Sequence, residues 1–289
     1  MGTAFNGSTE AKSALVGRLA AHADAKRLVP GAFRWSGEQG SLVGCLLENP
    51  DPACWETELG LPQWLALVAD KLAEGSGSPE SAAALGARLL QAIRPGVDLE
   101  PVGSRFILRL LADLQTRLSA PAGTAAQALA EVEQLHRSVA AGEQVPAPQW
   151  RAVRRAATAA TDELKAEDEQ ALALLKCVET AAWNPASSPV VVYDTLRTWV
   201  EARTLIASID AGWRSDYEPT LRAHLQEMFE TYIKDNPELQ KTKTVFDFLE
   251  EHYPDDARMI RVKNQVDRDA HKDAYPYAAD LLIDLLKAA

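Results

Sequence analysis

Pro189-Val190-Val191-Val192-Tyr193 (PVVVY) is the one stretch of this 289-residue chain with the β-branched density of a strand, so its reading decides the fold class. Ser187-Ser188-Pro189 ahead of it is a helix-opening sequence, and Val192, Leu196, Trp199 and Val200 then fall on one helical face. Five residues flanked by helical spacing read as a helix start. With that stretch assigned, the chain is predicted to be all-α: a multi-helix bundle, arranged as two helical subdomains or as irregular helical repeats. No fixed repeat length establishes a solenoid.

Helical punctuation recurs in both directions from there. Upstream, Ser8-Thr9-Glu10 opens a helix carrying Ala14, Leu15, Leu19 and His22. Pro62 stands at the first turn of another, with Trp64, Leu65, Leu67, Val68 and Leu72 on its apolar side. Gly75 to Ser78 is a break, Ser78-Pro79-Glu80 restarts a helix through Ile93, and Arg94-Pro95-Gly96 turns the chain. Further helices are predicted over Pro101–Ser119 and Thr124–Ala141. Val145-Pro146-Ala147-Pro148 suggests a boundary between domains 1–145 and 146–289, and the acidic run Thr161 to Gln170 a join between two helices. Downstream of Gly212 alanine becomes scarce while Tyr, Phe, Asp and Lys rise. Leu221, Leu225, Met228, Phe229, Tyr232 and Ile233 make one strongly amphipathic face. A helix is predicted to start at Asn236-Pro237 and stop at Pro254, Asp255-Asp256 to cap the next, and Tyr277 to Ala288 to form the last.

A formal charge of −11 and a pI near 5.0 argue against direct nucleic-acid binding, which needs clustered Lys and Arg. Acidity fits a cytoplasmic protein, and also one that covers a basic partner surface. Three cysteines, Cys45, Cys54 and Cys177, imply no disulfide framework. No apolar run reaches the roughly 18 residues of a membrane span. The first residues have neither a secretory pattern nor, with Asn6 in place of Ser or Thr, a myristoylation pattern.

One stretch departs from the alanine- and leucine-rich background: RWSGEQGSLVGCLLENPDPACW, Arg34 to Trp55. The spacing of Gly37, Gly40 and Gly44 matches neither a dinucleotide fingerprint nor a phosphate loop, and no lysine is present. Gly40 and Gly44 are four apart, which on a helix lets another backbone approach. Cys45 sits among Val43, Gly44, Leu46 and Leu47, surroundings that suit a buried thiol better than an activated one. Trp35 and Trp55 could stack a ligand or close a core. The candidate binding residues are therefore Trp35, Glu38, Gly40, Gly44, Cys45 and Trp55. No catalytic residue, cofactor or metal site is singled out: Cys45 and Cys54 lack histidine partners, Glu133-x-x-His136 occurs once where a di-iron bundle needs two, and Asp267, Asp269, His271 and Asp273 read as a solvated face.

Residues 31–118 resemble a family of bacterial and phage-associated proteins without an established activity. Trp35, Gly37, Gly40, Val43, Gly44 and Cys45 match its W-x-G-x-x-G-[CS]-x-V-G-C pattern. Glu58-Leu59-Gly60-Leu61-Pro62-Gln63-Trp64-Leu65-Ala66, Ile93 to Leu99 and Arg105-Phe106 follow in order. Ser41 stands where members tend to carry a first cysteine, and Glu48 and Pro52 where they often carry histidines. Keeping the glycines and tryptophans while losing reactive side chains favours a structural role for the block. The function expected is a protein-interaction module of the immunity or inhibitor type, binding a toxin or effector. The alternatives are an enzyme or small-ligand protein with a pocket around residues 34–55, and an acidic nucleic-acid mimic.

Overall fold

The computed structural model describes residues 2–31, 33–51, 53–118, 121–164 and 168–289. Among them are thirteen α-helices and no strand, so the chain is all-α as its punctuation predicts. PVVVY opens a helix, Val190–Asp210 (α10), with Val191 and Val192 buried. None of the helices is long and apolar enough to cross a membrane.

The chain divides into two compact units, residues 1–203 with 271–289, and residues 204–270. The boundary predicted between residues 145 and 146 lies inside the larger unit. There Gly123–Ala140 (α7) packs on Ala147–Glu163 (α8) across the proline turn.

The larger unit starts with Thr9–Asp24 (α1), whose N-cap Ser8 accepts the Ala11 N–H. Two short helices follow, Leu42–Leu47 (α2) and Ala53–Leu59 (α3), then Gln63–Glu74 (α4) and Pro79–Ala92 (α5). Ser78 caps α5, with Pro79 pre-set at its first position. α1 and α4 both pack on α5, and α2 packs on α1 and α4. Glu100–Arg117 (α6), α7, α8 and Glu169–Ala181 (α9) follow, with α6 on α7 and α9, and α8 on α7 and α9; the first part of α10 and the last part of the C-terminal helix complete the unit. The join predicted in the acidic run falls between α8 and α9; residues 165–167, and Ser119 of an earlier predicted helix, lie outside the described residues.

Two polar groups are buried at helix crossings in this unit. Asp113 of α6 takes two N–H groups of Arg117 and the indole N–H of Trp199 on α10, 3.1 Å away, with Arg203 at 3.8 Å. His136 of α7 lies between the Ser104 hydroxyl (3.0 Å from Nδ1) and the Ala181 carbonyl (2.8 Å from Nε2). A carbonyl only accepts, so Nε2 carries the hydrogen and Nδ1 accepts from Ser104. Burial pushes the imidazole down to about 4, which keeps it neutral.

The smaller unit contains Glu218–Met228 (α11), Val245–His252 (α12) and the first part of Pro254–Ala288 (α13) around Leu221, Met228, Ile233, Phe248 and Leu249. Three predictions need correction here. After α11 the chain widens into a π-helical turn, with the Lys234 N–H bonded to the Phe229 carbonyl; Phe229, at its start, is 38% exposed, while Ile233 is buried. The helix predicted from Asn236 starts only at Val245. Asn236 is spent on the Leu239 N–H, and the Thr244–Asp247 capping box sets the later start. Pro254 opens α13 rather than only ending α12, and α13 runs through Pro276 to Ala288, so the terminal helix begins far earlier than Tyr277.

Candidate functional site

The Arg34–Trp55 segment is built around one carbonyl and one carboxylate. Ser36 to Gln39 turns the chain, with Gly37 in the left-handed region at φ +90°. The turn brings the Arg34 carbonyl onto Gly40 and Gly44, where it accepts the Ser41 N–H at 2.8 Å. A Cβ at Gly40 would lie 2.5 Å from that oxygen, and one at Gly44 2.0 Å. The two glycines thus permit a close backbone approach. Ser41 caps α2 by accepting the Gly44 N–H, and its hydroxyl donates to Asp70 of α4 at 2.8 Å. Asp70 also accepts the Phe33 and Val43 N–H groups, each at 2.8 Å. Burial raises this carboxyl to about 6, opposed by the N–H groups of Val43 and Phe33 and by Ser41; at neutral pH it is a buried anion with three donors.

Trp35, Gly40, Gly44 and Cys45 come together here. Trp35 is half-buried, edge-on to His22 at 5.5 Å. The buried Cys45 thiol faces the carbonyls of Gly40 and Arg27 at 3.4 and 3.7 Å, and burial pushes it up to about 11, the reverse of what activates a nucleophile. Glu38 is exposed in the turn and Trp55 is buried on α3. Glu48 reaches back to His22 Nε2 at 3.1 Å; Pro52 lies outside the described residues. In the ELGLP phrase, Gly60 at φ +62° ends α3, where a Cβ would meet the Thr3 carbonyl at 2.3 Å. The adjoining cavity of about 100 Å³ is lined by Leu28, Pro30, Ser41, Leu42, Asp70 and Glu74 among others, and by none of the six candidate residues. It admits water, whereas small-molecule sites run to roughly 300–1,000 Å³.

Among the described residues no three His, Cys, Asp or Glu side chains group to hold a metal ion. Glu133 is engaged with Arg137 and Gln115, and Asp267 with Ser208 and Lys263.

The smaller unit carries a different arrangement. Ala211, Gly212, Trp213, Met259 and Val262 line a concavity of about 280 Å³ with Asp255, Arg258 and Lys263 at its polar side. Arg258 pairs with Asp255 at 3.2 Å, and Lys263 Nζ stands 5.1 Å from the Trp213 ring centre. Val262 is 44% exposed and Phe246 on α12 50%. Nearby in sequence, His224 Nδ1 lies 2.6 Å from the buried carboxylate of Asp256, which also takes the Tyr217 hydroxyl at 3.1 Å; the ring stacks on Tyr253 at 3.9 Å. None of these residues is a site candidate by sequence; Asp255 and Asp256 read there only as a helix cap. The available signal was the change in composition after Gly212, which marks this unit's different surface.

Compared with protein-family models, curated proteins and solved structures, the chain matches none.

Proposed function

We propose that the chain is a protein-interaction module of the immunity or inhibitor type, and that residues 204–270 carry its contact surface for a basic partner. The observation behind this reading is the apolar concavity of Trp213, Met259 and Val262 in a unit with fourteen acidic and nine basic residues. A recess of about 280 Å³ suits one large apolar side chain, the kind of anchor that dominates binding energy at interfaces. The unit's excess of carboxylates as a whole steers a basic partner and raises the rate of encounter. An enzyme or ligand pocket around residues 34–55 has less support, because the Cys45 thiol is buried and the cavity of about 100 Å³ beside Asp70 is lined by none of the six candidate residues.

A photo-crosslinking residue placed at Val262 or Phe246 in the source cells is expected to trap a basic protein, and one at exposed Glu80 is not. With that partner purified, Val262→Asp should weaken binding at least about tenfold, equivalent to 1.4 kcal/mol. Equal trapping at all three positions, or unchanged affinity of the variant, would refute the assignment.

A further inference from the structure

We propose a second docking surface, on the larger unit and of opposite charge, formed by the first half of α8 and the turn after α9 and shaped for an acidic segment of a partner protein. This goes beyond the contact surface assigned to residues 204–270. Arg151 and Arg155 are exposed one helical turn apart, and between them Arg154 lays its guanidinium 3.7 Å from the ring centre of Trp183. Trp183 is nevertheless 45% exposed, and Val190, which opens α10 after the same turn, 46%. Among the described residues no carboxylate lies within ion-pair distance of the three arginines.

It is the clustering of three such arginines within five residues that stands out in a chain where 41 acidic residues face 30 basic ones. Some exposed arginines find a carboxylate one turn away, as Arg137 does with Glu133, Arg197 with Glu201 and Arg222 with Glu218; Arg27, Arg34, Arg94 and Arg109 do not, but none of these has two other arginines within one helical turn. Here three cations share one face of α8, with their mutual repulsion uncompensated from within. An external carboxylate relieves it, and the guanidinium fork accepts carboxylates bidentately. Trp183 and Val190 supply apolar area beside the charges, which suits a segment mixing Asp or Glu with an apolar side chain. A nucleic acid fits less well. One face of Trp183 is already covered by Arg154, and three cations on a chain of net charge −11 do little against a phosphate backbone.

The test uses the full chain and fluorescence anisotropy with three labelled 12-residue probes: a Glu/Leu peptide, its Lys/Leu counterpart and a single-stranded DNA. The Glu/Leu peptide is expected to bind best. Arg151→Glu/Arg155→Glu should weaken it more than tenfold and Trp183→Ala about fivefold, at unchanged urea midpoints, while Val262→Asp leaves it unaltered. That last comparison separates this surface from the one on residues 204–270. Undetectable peptide binding, binding indifferent to the arginine and tryptophan substitutions, or binding of the DNA alone with loss in the same variants would each overturn the proposal.

Discussion

Asp70→Ala is expected to lower the stability of the larger unit by roughly 3–5 kcal/mol, more than a single contact loss explains. The substitution strands the Val43 N–H and the Ser41 hydroxyl, both buried, together with the half-buried Phe33 N–H. Each buried donor left unpaired costs about 1–3 kcal/mol. Losing the desolvated charge offsets part of this, because the carboxyl is raised to about 6 and its anion is held at some expense. Asp70→Asn should fall between wild type and Ala. Its one oxygen can serve Phe33 and Ser41 together, but its amide then faces the Val43 N–H. Urea unfolding followed by tryptophan fluorescence reads the effect, since six of the seven tryptophans belong to the larger unit. A loss below about 1 kcal/mol in Asp70→Ala would mean the segment is held by packing alone.

Acid sensitivity traceable to His136 is the second large effect. Its folded value of about 4 lies below the ordinary 6.5, so the unfolded chain binds the proton more readily. The stabilisation is fully present above pH 6.5, is lost as the pH falls, and is gone below about 4; its size is about 3 kcal/mol. Asp70 acts in the opposite sense. Raised from 3.8 to about 6, it contributes stability below 3.8 that is lost as the pH rises through 6. Wild-type stability alone therefore mixes two opposing slopes over the same range. The difference between wild type and His136→Gln isolates one of them, and should shrink by about 3 kcal/mol between pH 7 and pH 4. A difference independent of pH would place the charge of His136 somewhere other than a buried, neutral imidazole.

How much of this was legible depended on whether the determining interaction was local. Helix starts at Ser8 and Ser78 were readable because a cap and its N–H lie within three residues. The Gly40 and Gly44 spacing announced a close backbone approach, and the Arg34 carbonyl makes it. Asp70 could not be found this way. It is one aspartate on an amphipathic helix, and its three partners lie 27 to 37 residues earlier in the chain. The start of α12 was missed because Asn-Pro is a strong helix-opening pair, yet Asn236 is consumed locally and the Thr244 box prevails. Phe229 falls on the apolar face by α-helical spacing, yet stands at the start of the π-helical turn with 38% exposure. The Trp213 recess draws on residues 208–213 and 255–263, too far apart for a spacing rule to join.

The whole reading turns on whether the glycine-and-cysteine segment spends its polar and reactive groups on holding itself together, leaving outward surfaces to make contacts. Alkylation of Cys45 by iodoacetamide at neutral pH, followed peptide by peptide in the mass spectrometer, asks this directly. Cys45 should stay unmodified in the native chain for as long as the fold persists, and react at the rate of a free thiol once urea unfolds it. Rapid native labelling at Cys45 would reveal an accessible, activated thiolate and reopen the segment as a site of chemistry.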